Sequence, residues 1–496
     1  MGNKKHAIII GAGIAGLASS IRLSCQGWRV SVFEKNNYPG GKLCSFEQDG
    51  YHFDAGPSLF TQPGNIEALF KLAGEPIEKY FSYSKVPIAC TYFLSNGKKI
   101  TAWADQEKFA EEMQTVLGEP KENINRYLQR SSDLYNHVGD LFLRHSLHRL
   151  RDFSLAEIGK ALRTVRFSHL FRTLNQYNHS SFATPEAAQI FNRYATYNGS
   201  NPYSAPAMLS LIPHLELNEG TFYPKGGMIS ITNALYQLAL NKGVEFFFNS
   251  PAEQIQTKQG KVHGIIAGGN YFPADIVVSN QDVYFTYKNL LKHDAKAAKV
   301  LKQERSSSAL IFYWGISGNF EQLGLHNIFF SADYENEFHQ IFHTGKISDD
   351  PTVYINITSK MEPNMAPPGK ENWFVMVNVP ANNGQDWDKM KMEARKSVLH
   401  KLSIMLNRDI SALIETEATL DPVIIEHQTM SFMGSLYGTS SNSKLAAFLR
   451  QPNFSKEYKG LYFVGGSVHP GGGIPLCLRS AAIMSNMVSN DFSKGD

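Results

Sequence analysis

At 496 residues the chain exceeds what one hydrophobic core usually serves, so two intertwined domains are expected. With 43% hydrophobic and 19% charged residues it is an ordinary globular mixture, and a formal charge of +3 is too small to argue for nucleic acid as a partner. Four scattered cysteines (Cys25, Cys44, Cys90, Cys477) without CxxC spacing speak against a zinc or other metal site and against a disulfide framework, and point to a reducing cytosol.

The first strand follows MGNKKH directly, so no secretory leader is expected, and no run of about 18 or more apolar residues is present to span a membrane. That strand, Ala7 to Ile10, leads into Gly11-Ala12-Gly13-Ile14-Ala15-Gly16, a small-residue helix and a second strand, Val30 to Phe33, ending on Glu34 and Lys35. Gly11 allows the tight turn, Gly13 lets backbone approach a pyrophosphate, and Gly16 lets helix and strand pack closely. Bare N–H groups at the helix start attract phosphate. Glu34 stands about 20 residues on, where a carboxylate accepts hydrogen bonds from a ribose hydroxyl. A dinucleotide site follows from this context of strand, turn, helix and acid.

The loop Asn36 to Lys42 carries Gly40, Gly41 and a cation, well placed to lie over the pyrophosphate. Residues 50–57 alternate like a strand and break at Gly56-Pro57 before Ser58; His52 is read as a packed strand residue without a role. From Gln106 to about Thr173 the chain reads as mostly helical. Within it Leu155, Ile158, Leu162 and Val165 recur at helical spacing, with Lys160 and Arg163 projecting elsewhere in a strongly basic stretch. A basic amphipathic helix suits an anionic membrane surface, although a solvated helix packed on its own domain is the commoner meaning of such a pattern.

Asn198-Gly199-Ser200-Asn201-Pro202 reads as a loop before a helical Ala205 to Ile212. Tyr223-Pro224-Lys225-Gly226-Gly227-Met228 opens an amphipathic helix that stops at Gly243. Strands Val244 to Phe248, Ala252 to Gln256 and Lys261 to Ala267 follow, and a strand ending at Ser279 suggests a return to the nucleotide domain. Longer strands (Ala309 to Ile316, Val353 to Thr358, Trp373 to Val379) and a helix near Trp387 to Leu406 suit a second domain. Finally an apolar strand meets Gly465-Gly466-Ser467-Val468-His469-Pro470-Gly471-Gly472-Gly473-Ile474-Pro475 and a small-residue helix, Ser480 to Ser485. Two anion-ready helix starts at opposite ends of the chain suit a long cofactor, which favours a flavin dinucleotide over a nicotinamide one.

Together these motifs resemble the carotenoid desaturase (bacterial phytoene desaturase) family of flavoproteins over nearly the whole chain. HPGGGIP after a VGG strand is the most specific match, and Val464 to Leu478 is most similar to the hydroxycarotenoid 3,4-desaturase branch. The resemblance implies an α/β fold: a Rossmann-type FAD-binding domain, an interleaved substrate domain of mixed sheet plus helices, and a helical membrane-docking region. The FAD domain would be built from residues 1–80, 221–284 and 456–496. Residues 81–220 would supply substrate domain and docking region, and 285–455 mainly substrate domain.

FAD would be held by Gly11, Gly13, Ile14, Ala15, Gly16, Glu34, Lys35, Gly41, Lys42, Gly56, Pro57, Ser58, Ala252, Gly465, Gly466, Gly473, Ile474 and Pro475. The implied reaction introduces a C=C bond into an acyclic, 1-hydroxylated carotenoid end, with hydride passing to the flavin and a neighbouring proton lost. No side chain is singled out as catalytic. Asn198, His214 and Tyr437 are candidate partners for the substrate hydroxyl because they lie in matched stretches. The carotenoid would come from the bilayer to a peripheral enzyme on the cytoplasmic face of the membrane, with oxygen or a quinone as electron acceptor. A multi-step phytoene/lycopene-type desaturase, a retinol-saturase-like enzyme, and a flavin-free lipid-escort protein of the same fold are the alternatives. The sequence departs from its relatives at Lys42, where arginine is common, and at Arg479, where a small or apolar residue is usual.

Overall fold

A computed structural model describes residues 4–139, 142–143, 145–146, 148–149, 159–160, 163–443 and 450–492. The organising unit is a five-stranded, all-parallel sheet. Strand β1 (His6–Ile10) lies at its centre, flanked by β2 (Arg29–Phe33) and the strand Ile276–Ser279; Glu245–Phe247 and Leu461–Phe463 form the edges. Parallel pairing requires crossovers that cover both faces, so the central strands must be apolar throughout. Ala7, Ile8 and Ile9 are fully buried, as are Ile276, Val277 and Val278.

Helix α1 (Ile14–Cys25) follows the glycine turn and packs between the helices Ile229–Asn241 and Ile474–Phe492. Its contact face is made of Leu17, Ala18 and Ile21, whose modest size allows close approach, while Leu235, Leu238, Ala481 and Met484 close the layer. The carboxy-terminal helix is longer than the predicted Ser480 to Ser485, because it begins at Ile474 directly after Gly473. Pro475 is tolerated there, since a first-turn residue has no intrahelical N–H bond to lose.

The second sheet has seven strands in the order Ile414–Leu420, Ser308–Ile316, Glu371–Val379, Val353–Ile357, His326–Phe329, Ile88–Phe93 and Lys99–Trp103. All pairs are antiparallel except His326–Phe329 with Ile88–Phe93. It therefore joins strands more than 200 residues apart in sequence. One face packs under the helix Trp387–Leu406 through Trp314, Trp373, Val375 and Val398. Each such fully buried apolar side chain contributes about 1.5–3 kcal/mol.

The region read as helical contains Gln106–Leu117 and Lys121–Leu134, followed by a wider π-type turn, Tyr135–Gly139. The predicted helix at Ala205 to Ile212 is a short 3-10 segment, Ala207–Leu211, bounded by Pro206 and Pro213. Prolines at both ends deny it the length of a stable α-helix. Of the predicted docking face, Leu155, Ile158 and Leu162 lie outside the described residues. No described helix is long and apolar enough to cross a membrane.

Candidate functional site

A cavity of about 1110 Å³ runs from the β1–α1 turn to the seven-stranded sheet. That exceeds the roughly 300–1,000 Å³ of pockets for one drug-sized ligand, so it has room for more than a single small molecule.

Its first wall is the dinucleotide motif. Gly11 adopts φ +94°, a conformation side chains resist, and a Cβ on Gly16 would sit 2.1 Å from the Gly11 carbonyl oxygen. Gly11, Gly13, Ile14 and Ala15 line the cavity, whereas Gly16 lies behind them as the packing contact. The side-chain amide of Asn280, at the end of the strand Ile276–Ser279, turns its oxygen to accept from Gly13 N–H (3.2 Å) and Gly16 N–H (3.3 Å). Glu34, 6% exposed, accepts from Ala12 N–H at 2.7 Å and from Asn36 N–H at 2.9 Å. A carboxylate has lone pairs beyond those two bonds, so Glu34 retains capacity for a ribose hydroxyl at the cavity wall. Lys35 lines the wall while donating to the His427 carbonyl at 2.5 Å.

The middle of the cavity concentrates buried positive charge. Lys42 donates to the carbonyls of Leu436 (3.0 Å) and Ser435 (3.5 Å), and burial lowers its ammonium pKa to about 8. Arg450 is 2% exposed and donates to the carbonyls of Thr439 (2.7 Å), Tyr437 (3.0 Å) and Gly466 (3.4 Å). Burial first, and the Arg305 charge second, lower its pKa to about 10. Arg305 itself is paired with Asp282 at 2.6 Å. Among the described residues Lys42 and Arg450 make no ion pair with a carboxylate, so this wall holds a half-buried and a buried cation lacking direct anionic partners. Buried charge is costly without a partner, and a diphosphate or an electron-rich ring meets that need.

Gly41, Gly56, Pro57, Ser58 and Ala252 join the same wall, as do Gly465, Gly466, Gly473, Ile474 and Pro475 from the carboxy-terminal motif. Thus residues from opposite ends of the chain meet around one space. Of the three residues read as hydroxyl partners, Asn198 and Tyr437 line the cavity. His214 does not; it packs against Tyr135 and meets Asn218 through Nδ1 at 2.9 Å. Arg479 also lies off the cavity wall; it stands near Arg22 of α1. His469 is likewise structural: its Nε2 donates to the carbonyls of Phe142 and His145, both at 2.9 Å, and burial lowers its pKa to about 4.

The chain belongs to the family of flavin-containing amine oxidoreductases. Its sequence matches that family over residues 14–487. It is 49% identical over 486 residues to a 1-hydroxycarotenoid 3,4-desaturase of Flavobacterium sp. (strain P99-3), covering 98% of this chain and 99% of that relative. A 4,4'-diapolycopene oxygenase of Methylomonas sp is 32% identical, over 99% of each chain. Among solved structures, an oxidoreductase from Methanosarcina mazei superposes with a TM-score of 0.62 at 17% identity, covering 97% of this chain and 100% of that one, a likeness of fold.

The flavoprotein's cofactor is FAD, and the residues present fit it: a glycine turn shaped for pyrophosphate, an acid placed for ribose, and the cations of the central wall.

Beyond that wall the cavity of this flavoprotein has an apolar lining of Ile311, Ile328, Phe374 and Met376 of the seven-stranded sheet with Leu211 and Ile212, interrupted by a few buried polar groups. Sequence reasoning missed its polar features. Arg193 pairs with Glu216, with side chains 7% and 2% exposed, and Tyr194 and Tyr197 also donate to Glu216. Arg193 in turn donates to the Tyr92 hydroxyl at 2.6 and 3.0 Å. A second chain runs from Ser58 through Tyr354 to His326, with 2.8 Å at each step. None of these carries a local motif, because the partners come from separate strands, helical turns and a loop.

Proposed function

We propose that this flavoprotein is a carotenoid desaturase that introduces a C=C bond into the 1-hydroxylated end of an acyclic carotenoid. The observation that carries the reading is the continuity of the cavity: its apolar length begins where the flavin-binding wall ends. A long conjugated hydrocarbon needs such a dry, narrow space, and the 49% identity to a 1-hydroxycarotenoid 3,4-desaturase supports the substrate class.

When bound, FAD supplies the hydride acceptor for oxidation of a C–H bond beside the polyene. The chain's own residues bind, align and exclude water. Ile311, Ile328, Phe374 and Met376 present a surface without donors or acceptors, so the polyene loses no hydrogen bonds on entering. Holding the reacting carbons in register converts an encounter into an intramolecular step. The intact Gly465, Gly466, Gly473 and Pro475, all on the cavity wall, support an enzyme rather than a flavin-free escort.

The site roles proposed for FAD are those of the cavity-lining residues: Gly11, Gly13, Ile14, Ala15 and Lys42 at the pyrophosphate, Glu34 at ribose, and Gly465, Gly466, Gly473, Ile474 and Pro475 toward the ring. The carotenoid would enter from the membrane at the cytoplasmic face. That reading is supported by Leu170 and Phe171, 42% and 51% exposed, beside the exposed Arg163, Arg166 and Arg172, with Leu170 also lining the cavity. Oxygen or a quinone would take the electrons away.

The test is conversion by the purified FAD-loaded protein in liposomes, using 1-hydroxylated and non-hydroxylated acyclic carotenoids at equal loading. A product lighter by two hydrogens, formed faster from the hydroxylated carotenoid, is expected. Equal rates on both would reduce the reading to a general carotenoid desaturase. A product that gains oxygen would instead align it with the Methylomonas relative.

A further inference from the structure

His326 begins the strand His326–Phe329, lines the cavity and is 3% exposed. Two neighbours determine which ring nitrogen carries its proton. The Asn356 amide Nδ2, which can only donate, points at His326 Nδ1 at 3.2 Å. The Tyr354 hydroxyl lies 2.8 Å from the same nitrogen. Nδ1 therefore accepts, and a neutral imidazole then carries its hydrogen on Nε2. Burial, with the Arg193 charge adding to it, lowers the His326 pKa to about 3, which keeps the ring neutral.

That leaves Nε2–H as a buried donor, and among the described residues it has no hydrogen-bond partner. Native interiors rarely leave a buried donor unpaired, and such a group calls for an acceptor from outside the protein, a water or a ligand. The other buried polar side chains on this side of the cavity are satisfied among themselves: Arg193 and Glu216 by each other and by tyrosines. Gln281 Oε1 is also unpaired, but it follows Asn280 on the dinucleotide side.

The placement suits the chemistry. In a 1-hydroxylated end oxidised between C3 and C4, only C2 separates the hydroxyl-bearing carbon from the first reacting carbon. A group that reads the hydroxyl must therefore stand near the redox ring. Ser58, in the loop after Gly56-Pro57 on the flavin-binding wall, is joined to His326 through Tyr354 by two 2.8 Å hydrogen bonds. We propose that His326 is the specificity-determining residue, its Nε2–H donating to the hydroxyl oxygen of the substrate. The proposal rests on the carotenoid desaturase reading above.

The experiment compares wild type, His326→Phe, His326→Gln and Tyr437→Phe, each loaded with FAD in liposomes. The readout is the ratio of kcat/KM for a 1-hydroxylated acyclic carotenoid to that for the same carotenoid without the hydroxyl. Wild type should favour the hydroxylated substrate. His326→Phe should lower the ratio by about tenfold, the value of one lost hydrogen bond at the upper end of the usual range. His326→Gln, which restores an N–H donor, should recover part of it, and Tyr437→Phe should leave the ratio in place.

An unchanged ratio in His326→Phe, or equal loss on both substrates, would overturn the assignment, as would a ratio lost only in Tyr437→Phe. If His326→Phe does not fold, the ratio in His326→Gln decides: a value between one and that of wild type supports the proposal, and a wild-type value overturns it. Wild type that desaturates neither carotenoid would instead sink the reading beneath the proposal.

Discussion

Lys42 shows how a single side chain couples cofactor and protons. Burial holds its pKa near 8, below the usual lysine value of 10.5. An anionic group bound against it favours the charged form and raises that pKa, so FAD binding takes up a proton above pH 8. FAD affinity is therefore expected to weaken as pH rises from about 8 to 10, measured as Kd by flavin fluorescence. Lys42→Arg keeps its charge throughout that window and should give a flatter profile; parallel profiles for the two proteins would remove Lys42 from the phosphate site.

The glycine turn gives a steric counterpart. A Cβ on Gly13 would lie 2.8 Å from the Asn280 side-chain amide and would intrude where pyrophosphate approaches. Gly13→Val should purify with little or no bound FAD, read from the ratio of visible to ultraviolet absorbance; wild-type flavin content would show that the pyrophosphate lies elsewhere. Both residues were legible in the sequence because the motif that places them is local. Asn280 was not, since it reaches the turn from a strand some 270 residues away in sequence.

At the scale of elements, the strand Tyr51–Asp54 is tied to the helix Ile229–Asn241 through one carboxyl group. Asp54 accepts from Met228 N–H at 2.9 Å and Ile229 N–H at 3.3 Å, at the start of that helix. Burial nevertheless raises its pKa to about 6; the two N–H bonds oppose the shift and the Glu362 charge adds to it. A carboxyl whose folded pKa is raised contributes stability fully below its unfolded value near 4 and loses it as pH rises through 6. The loss is about 2–3 kcal/mol. Asp54→Asn cannot titrate, so the difference in Tm between wild type and variant should shift across pH 4 to 6 and stay level above it. A constant difference across that range would show that Asp54 titrates as an exposed carboxylate does.

Most elements could be read from periodicity: Trp387–Leu406 begins and ends where its apolar spacing predicts. The 3-10 segment Ala207–Leu211 was harder, because the six residues between Pro206 and Pro213 carry too little pattern to separate one helical form from another.

For the whole molecule, the proposed membrane docking would organise substrate supply. A carotenoid has negligible solubility in water, so a cavity rim carrying exposed Leu170 and Phe171 among arginines is the expected point of transfer. Reversing Arg163 and Arg166 to Glu should release the protein from anionic liposomes while flavin content stays unchanged. Undiminished co-sedimentation would move the docking surface to another face.

The sequence alone located the two glycine motifs, Glu34 and Lys42 on one wall of the cavity, while Asn280 and Arg450 joined that wall only through the fold. The groups read from the sequence sit within a few residues of a glycine turn or a strand end, so their geometry follows from the local backbone. It also determined the family, since the two glycine motifs flank nearly the entire chain. Only the tertiary structure decided which polar groups stand along the rest of the cavity. It moved His214 off the wall and brought His326, Tyr354 and Ser58 into one hydrogen-bonded line. The physical reason is the seven-stranded sheet, whose pairing of His326–Phe329 with Val353–Ile357 sets Tyr354 and Asn356 beside His326, while Ser58 reaches Tyr354 from a loop 296 residues away in sequence. A buried polar group's meaning depends on what faces it, and here what faces it comes from another strand.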